Sequence, residues 1–260
     1  MLGSRTASVF IIATVLSGCS ARQNTVNPRL ADEMPQKILW AWERPEDLSF
    51  ADANQFGVAL LAQTILLEND RVIPKPRRQP IKVADGAYVI AVTRIETNKE
   101  TASRPTFSHD MVRQTALLIR STLDLPNVKA IQVDFDAVVS EREFYRRLMR
   151  DLRLDLDQAS AGKSVRVPLT MTSLASWCTG DAWFNDFPVD EAVPMVFQMG
   201  GDSDKIKTYL RNGNDWREPL CRGSYGISIE EGHIDGMKAG RRMYYFKNTP
   251  WVREDLAKLR

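Results

Sequence analysis

Residues 128–136 read VKAIQVDFD, and residues 140–152, which follow after a short gap, read SEREFYRRLMRDL. The first stretch predicts a buried β-strand, because apolar side chains occupy every second position at its carboxyl end. The second stretch predicts a helix in which Phe144, Leu148 and Leu152 form one apolar stripe that faces a sheet. A strand followed directly by such a helix is the repeating unit of parallel α/β folds.

Similar apolar runs recur along the chain, most of them followed by a helical pattern or a polar loop. With the run at 128–135 they number eight, and the other seven are residues 38–42, 57–61, 88–92, 167–174, 192–197, 225–229 and 243–246. Eight strands alternating with helices in a chain of 260 residues predict a (β/α)8 barrel of the TIM type, formed as a single domain by residues 37–260. An open, doubly wound sheet is the alternative.

Local signals predict where two helices begin. Ser140 and Glu143 form a capping-box pattern before the helix after strand four. Ser108 is the expected cap of another helix, which would lie between strands three and four and end before Pro126.

The segment 64–83 predicts a hairpin rather than a helix. Glu68-Asn69-Asp70 is typical of a turn, and the runs at 65–67 and 81–83 are the expected paired strands.

The first residues predict an export signal. One cation, Arg5, precedes an apolar run at 7–16 and then Ser17-Gly18-Cys19, and this run is far shorter than the roughly 20 residues that cross a bilayer. The pattern resembles bacterial lipoprotein signals, so we expect residues 1–18 to be cleaved and Cys19 to carry the lipid that anchors the protein. Residues 19–36 are the expected flexible tether, and the protein is predicted to lie in the cell envelope, facing the periplasm.

Composition limits the partners and the redox state. The chain has 35 Lys and Arg against 33 Asp and Glu, with both signs interspersed, so we expect no nucleic-acid partner. Cys178 and Cys221 are the two cysteines that follow Cys19. An oxidising compartment makes a disulfide between them plausible, and two separate buried thiols are the alternative.

The predicted fourth strand carries the strongest functional signal. Gln132, Asp134 and Asp136 share one face because strand side chains alternate, and in a barrel that face points into the lumen near the carboxyl-terminal mouth. Burying carboxylates is costly, so two in succession require paired cations or a solvated active site.

Other predicted strand ends add charged groups at the same level: Glu43, Arg44, Arg94, Glu96 and Glu230. Two facing carboxylates are the machinery of glycoside hydrolysis. In this interpretation Asp136 is the general acid, Glu230, Glu96 or Glu43 is its partner, and Asp134 orients the site or pairs with Arg94.

Substrate binding is assigned to Arg44 and Arg94 and to three rings near strand ends or in the loops beyond them, Trp177, Trp183 and Tyr225, against which sugars pack. The alternative interpretation is structural: the charged groups form an ion-pair network that fills the lumen, and the tryptophans are core residues.

Other chemistries find little support in the sequence. His109 and His233 are the only two histidines and lie far apart, which argues against a His-rich zinc site, and no calcium-loop spacing is present. The sequence has no nucleophile elbow, phosphate-binding glycine loop or dinucleotide fingerprint, so we expect no metal and no cofactor.

Five separated motifs, at residues 42–45, 131–137, 175–178, 189–195 and 220–221, give the chain a family resemblance. From about Lys37 to Trp251 it resembles the bacterial family catalogued as domain of unknown function 3142. The resemblance implies a (β/α)8 fold related to glycosidase barrels, and a pairing of the two motif cysteines is consistent with it.

The strand-four motif is also similar to the Asp-x-Asp-x-Glu signature of chitinase-like glycosidases, whose last residue is the general acid. Gln132, Asp134 and Asp136 occupy its three positions, and two of them depart from it. An aspartate at the last position would hold its proton about 1.5 Å further back than a glutamate.

The sequence therefore predicts an envelope lipoprotein whose barrel binds or hydrolyses a glycan. The alternative is a non-catalytic binding or scaffold protein in which Arg94 and Arg44 neutralise the acids.

Overall fold

The computed structural model describes residues 34–162, 166–181 and 183–259. The strands in these residues are β1 (Lys37–Ala41), β2 (Glu46–Leu48), β3 (Phe56–Glu68), β4 (Arg71–Pro76), β5 (Ile81–Val83), β6 (Tyr88–Thr97), β7 (Val128–Asp134), β8 (Leu169–Leu174), β9 (Glu191–Met195), β10 (Ser224–Ser228) and β11 (Arg242–Phe246). The α-helices are α1 (His109–Ser121), α2 (Arg142–Ala159), α3 (Ala175–Gly180) and α4 (Ser203–Arg211).

Parallel strands of the described chain close into a barrel. Their order is β1-β11-β10-β9-β8-β7-β6-β3, and β1 pairs with both β11 and β3, which brings Lys37 opposite Met243 on one side and opposite Phe56 on the other. This eight-stranded closed sheet with helices between strands is a TIM-type barrel. Each of the eight predicted strands is present, and the open-sheet alternative is excluded.

A hairpin follows from the second barrel strand, β3, as predicted. The predicted turn is confirmed, but the predicted partner strand, residues 81–83, is wrong. Asn69 takes a left-handed backbone conformation at the turn, with φ +51°. The strand that returns is β4, which pairs antiparallel with β3, whereas β5 pairs with β2 in a small separate sheet. Because Glu68 already pairs with Arg71, only Asn69 and Asp70 form the turn, and the strand that returns along β3 begins at Arg71 rather than at residue 81.

One predicted cap is present and the other is not. The Met111 amide donates to Ser108 Oγ at 3.2 Å and starts α1. Before α2, however, a short 3-10 turn at Val139–Glu141 replaces the expected Ser140 capping box, and Glu141 Oε2 accepts from the Val138 amide at 2.8 Å. The apolar stripe of α2 is buried as predicted.

The barrel lumen is a packed core. The apolar side chains that fill it are Ile38, Trp40, Ala59, Leu61, Ile90, Val92, Ala130, Val193, Tyr244 and Phe246. Trp40 is buried among them, and its indole Nε1 donates to Gln132 Oε1 at 3.0 Å. Gln132 Nε2 donates in turn to Thr170 Oγ1 at 3.3 Å, so the first polar residue of the strand-four motif is a structural partner of Trp40.

The amino end of the lumen is closed by an ion pair and by the chain that precedes β1. Arg242 and Glu191, both buried, are paired, and Arg242 Nε also donates to Pro35 O at 3.0 Å. Met34 is 2% exposed. Residues 34–36, expected in the tether, therefore pack against the barrel.

The connections between barrel strands differ in kind. Helices α1 to α4 follow β6, β7, β8 and β9 in turn, as a (β/α)8 scheme requires. In the connection from β10 to β11, residues 229–241, the described chain forms no helix. No helix in the described residues is long and apolar enough to cross a bilayer.

Cys178 and Cys221 form a disulfide, which resolves the alternatives that the sequence left open. Cys178 lies in α3, directly after β8, and Cys221 lies in the short helix at Pro219–Gly223, directly before β10. Both are fully buried. The bond therefore ties together two segments that are 43 residues apart in the sequence.

Replacing both cysteines, as Cys178→Ser with Cys221→Ser, is expected to lower the free energy of unfolding by about 3–4 kcal/mol, since a bond that closes a loop of this length restricts the unfolded chain. Urea unfolding followed by tryptophan fluorescence measures the change. Reductant should destabilise the wild type and leave the double variant unaffected. A loss below about 1 kcal/mol would contradict a structural role for the bond.

Candidate ligand-binding cleft at the barrel mouth

A cleft of about 290 Å³ opens where β6 and β7 end, at the carboxyl-terminal mouth of the barrel. Its lining residues are Leu66, Arg94, Ile95, Glu96, Thr97, Lys99, Asp134, Phe135 and Asp136. Parallel strands end at the same level here, so side chains from neighbouring strand ends come together, and this is the end at which TIM barrels carry their sites. Of the predicted residues, Arg94, Glu96, Asp134 and Asp136 meet in this cleft.

Asp134 is the buried carboxylate of the cleft. It accepts a hydrogen bond from Thr172 Oγ1 at 2.7 Å and pairs with Arg94 at 3.3 Å, so the predicted Asp134–Arg94 ion pair is confirmed. Burial raises the pKa of Asp134, and this effect outweighs the lowering by the Arg94 guanidinium and the Thr172 hydroxyl. Negative charge on Asp136 and Glu96 adds to the rise.

The Arg94 guanidinium contacts two carboxylates and one aromatic ring. It pairs with Glu96 at 3.4 Å as well as with Asp134, and its guanidinium lies 5.8 Å from the centre of the Trp42 ring. Trp42 in turn packs edge-on against Trp40 at 4.4 Å. The arginine thus links the cleft to the aromatic core of the lumen.

Asp136 differs from Asp134 although only Phe135 separates them. It is exposed at the edge of the cleft, and none of the described residues donates a hydrogen bond to it. The end of the strand explains the difference: Asp134 is the last residue of β7, whereas Asp136 lies past the strand end, where the lumen opens to solvent.

Glu230 and Glu43 lie outside this cleft, where they accept hydrogen bonds from loop amides. Glu230 accepts from Ser228 Oγ and from the Asn248 amide, and these bonds hold its pKa below the ordinary value although partial burial acts to raise it. Glu43 Oε1 accepts from the amides of Arg78 and Gln79 at 2.9 and 3.2 Å. Both carboxylates therefore have structural partners.

Arg44 also contacts structural groups outside the cleft. Its guanidinium pairs with Glu46 at 2.6 Å and donates to the carbonyl oxygens of Lys247, Asn248 and Thr249. It joins the end of β1 to the loop after β11 and does not pair with the carboxylates of the cleft.

The three predicted sugar-binding rings lie elsewhere. Trp177 and Tyr225 are 5% and 0% exposed and belong to the core between barrel and outer layer, so they present no free ring face to a ligand. Trp183 is half-buried in the same layer, where it packs edge-on against Trp177 at 4.9 Å with Arg142 stacked on it. Trp177 lies in α3, Trp183 lies in the loop that follows it, and Tyr225 lies in β10 with its side chain toward the outer layer.

Lys99 and Thr97 are cleft residues that the sequence analysis missed. Lys99 Nζ pairs with Glu141 Oε1 at 2.8 Å, and Thr97 Oγ1 donates to the same oxygen at 2.6 Å. The signal for them was weak, since β6 runs five residues beyond the predicted run and carries them to the mouth.

Two remaining predictions concern ligands and the anchor. Among the described residues no three His, Cys, Asp or Glu side chains are grouped so that they could hold a metal ion. Cys19, the predicted lipidation site, lies outside the described residues.

Comparisons of the chain with models of known protein families, with curated proteins and with solved structures found no match. The resemblance to domain of unknown function 3142 therefore stays a prediction.

Replacing Asp134 by Asn is expected to change how stability depends on pH. Because the folded-state pKa is raised, the folded protein keeps a proton that the unfolded chain has already lost between the ordinary value of 3.8 and the raised value. The wild type therefore loses free energy of unfolding, relative to Asp134→Asn, as pH rises through that interval.

Urea unfolding of both proteins at a series of pH values between about 3 and 7 measures this difference. Asp151→Asn, an exposed carboxylate on α2, is the matched control and should follow the wild type. A difference that stays constant with pH, or that moves in favour of the wild type, would contradict the assigned burial of Asp134.

Proposed function

We propose that this protein is an exported barrel, held to a membrane by lipid on Cys19, that binds the end of a glycan in the cleft between the ends of β6 and β7. The lipid anchor rests on the Ser17-Gly18-Cys19 pattern after an apolar run. The binding site rests on the side chains at the barrel mouth.

The observation that carries the proposal is the state of Asp136. It is exposed and has neither a hydrogen bond nor an ion pair with the described residues, whereas Asp134, Glu230 and Glu43 each accept at least one hydrogen bond. Glu96, the other exposed carboxylate among the cleft residues of the described chain, is paired with Arg94. A charged acceptor without a protein partner, beside a cleft, is suited to the hydroxyl groups of a sugar.

The rest of the cleft supports a polar ligand of small size. Arg94 and Lys99 supply donors, and Glu96 supplies a second exposed acceptor. The volume of about 290 Å³ lies just below the usual range for ligand pockets, which favours one sugar unit over a long chain. With Trp177 and Tyr225 buried, polar contacts would carry most of the affinity.

Hydrolysis is the second candidate, favoured by the three carboxylates that meet in one cleft. Asp136 would act as general acid, and Glu96 is the best of the three proposed partners, because Glu230 and Glu43 are bonded to loop amides. Against it stands Arg94, which pairs with both Asp134 and Glu96 and favours the non-catalytic binding or scaffold alternative.

Calorimetric titration of a chain that begins at Ser20 with a panel of envelope and environmental glycans tests the proposal. This chain keeps the whole barrel, since its strands all follow Met34. We expect Asp136→Asn to bind the best ligand about 10-fold or more weakly, because a charge-assisted hydrogen bond is lost.

Asp151→Asn serves again as the control and should bind like the wild type. Product analysis of the same mixtures separates the two candidates: turnover by the wild type and none by Asp136→Asn supports hydrolysis, and binding without products supports the binding role. If no glycan binds, or if Asp136→Asn binds as tightly as the wild type, the proposed site is wrong.

A further inference from the structure

A second, larger cavity lies on the outer side of the barrel and shares no lining residue with the cleft at the mouth. Its volume is about 520 Å³, and it lies against the outward faces of β10 and β11. Ile227 and Tyr245, both buried, come from these two strands, and the other apolar lining residues are Ile229, Met237, Ala239, Met243 and Leu259. We call it the outer groove.

The groove exists because the connection from β10 to β11 is irregular. In a (β/α)8 barrel a helix normally covers the outward faces of two neighbouring strands. Here residues 229–241 form no helix in the described chain, and Gly236, with φ +89°, holds this loop against the end of α4. A Cβ at Gly236 would lie 1.9 Å from Leu210 O, so a glycine is required for the loop to take this course.

The charged groups at the groove are of one sign. Lys238, Arg241 and Lys258 line it together with His233, and no carboxylate is among its lining residues in the described chain. Arg241 is bonded to Asp215 and to the Tyr225 hydroxyl. The Lys258 side chain is 65% exposed and pairs with Asp255 at 3.0 Å. An ammonium group has three N–H donors, so others remain for a ligand.

We propose that the outer groove binds a fatty acid, with the acyl chain along Ile227, Met237 and Met243 and the carboxylate at Lys258 and Lys238. The volume lies within the range of small-molecule sites, and the lining is apolar with a few polar groups at its edge, as such sites require. Lys238 Nζ donates to Gly213 O at 2.7 Å and Lys258 Nζ pairs with Asp255, and the donors that remain on the two ammonium groups favour an anionic head group over a neutral or cationic one. This site is separate from the cleft at the mouth and does not depend on the proposed glycan.

The first residues of the described chain lie beside this groove. The Met243 amide donates to Gln36 O at 2.8 Å, and Lys37 Nζ donates to Leu259 O at 3.3 Å. A test must therefore keep the residues that precede the barrel, and the chain that begins at Ser20 does so.

Calorimetric titration of that chain with sodium dodecanoate, below its micelle concentration, is the test. Met237→Glu places a carboxylate at a half-buried position of the groove and should weaken binding about 10-fold or more. Lys258→Glu should weaken dodecanoate binding several-fold and leave dodecanol binding unchanged. Circular dichroism shows whether each variant is folded.

Leu154→Glu is the matched control, since Leu154 is 60% exposed on α2 and lies outside the groove. It should bind dodecanoate as the wild type does. The proposal is overturned if the wild type does not bind dodecanoate, if a folded Met237→Glu variant binds it equally well, or if dodecyltrimethylammonium binds as tightly. Such a failure would leave the glycan site untouched, because the two sites share no residue.

Discussion

The hydrogen bond from Trp40 to Gln132 is the interaction on which the centre of the barrel depends. A closed barrel of eight strands has a lumen that side chains must fill, and Trp40 occupies its middle. An indole N–H buried there without an acceptor would cost about 1–3 kcal/mol. Gln132, on β7, supplies the acceptor at 3.0 Å across the lumen, and its own amide donates to Thr170 Oγ1.

The three polar residues of the strand-four motif lie at three different depths in the barrel. Gln132 is fully buried and structural, Asp134 is buried beside Arg94 and Thr172, and Asp136 is open to solvent. The same alternation of the strand produces all three positions, but each successive residue lies closer to the mouth. The departure of Gln132 from the glycosidase signature thus has a physical reason, because an aspartate would be too short to reach Trp40 and would bring a charge into the core.

The fold was largely predictable from the sequence, and the site only in part. Strand runs such as 128–135 and the stripe of Phe144 and Leu148 are local patterns, and the barrel follows from their alternation. The ion pair of Asp134 with Arg94 was predictable because adjacent parallel strands place their ends side by side. The positions of Trp177 and Tyr225 were not, since whether a ring at a strand end faces the mouth or the outer layer depends on loops whose course no local pattern specifies.

The two sites proposed for this barrel arise from opposite causes. The cleft at the mouth follows from the general geometry of parallel strands, which collects the ends of β6 and β7. The outer groove follows from the irregular loop that joins β10 to β11 without a helix. The lumen of the described barrel is a structural core in which Trp40 and Gln132 are held together by their hydrogen bond. A double-mutant cycle of Trp40→Phe and Gln132→Leu, followed by urea unfolding, tests that claim most directly. We predict a coupling free energy of about 1 kcal/mol or more between the two residues. Additive effects of the two substitutions would contradict it.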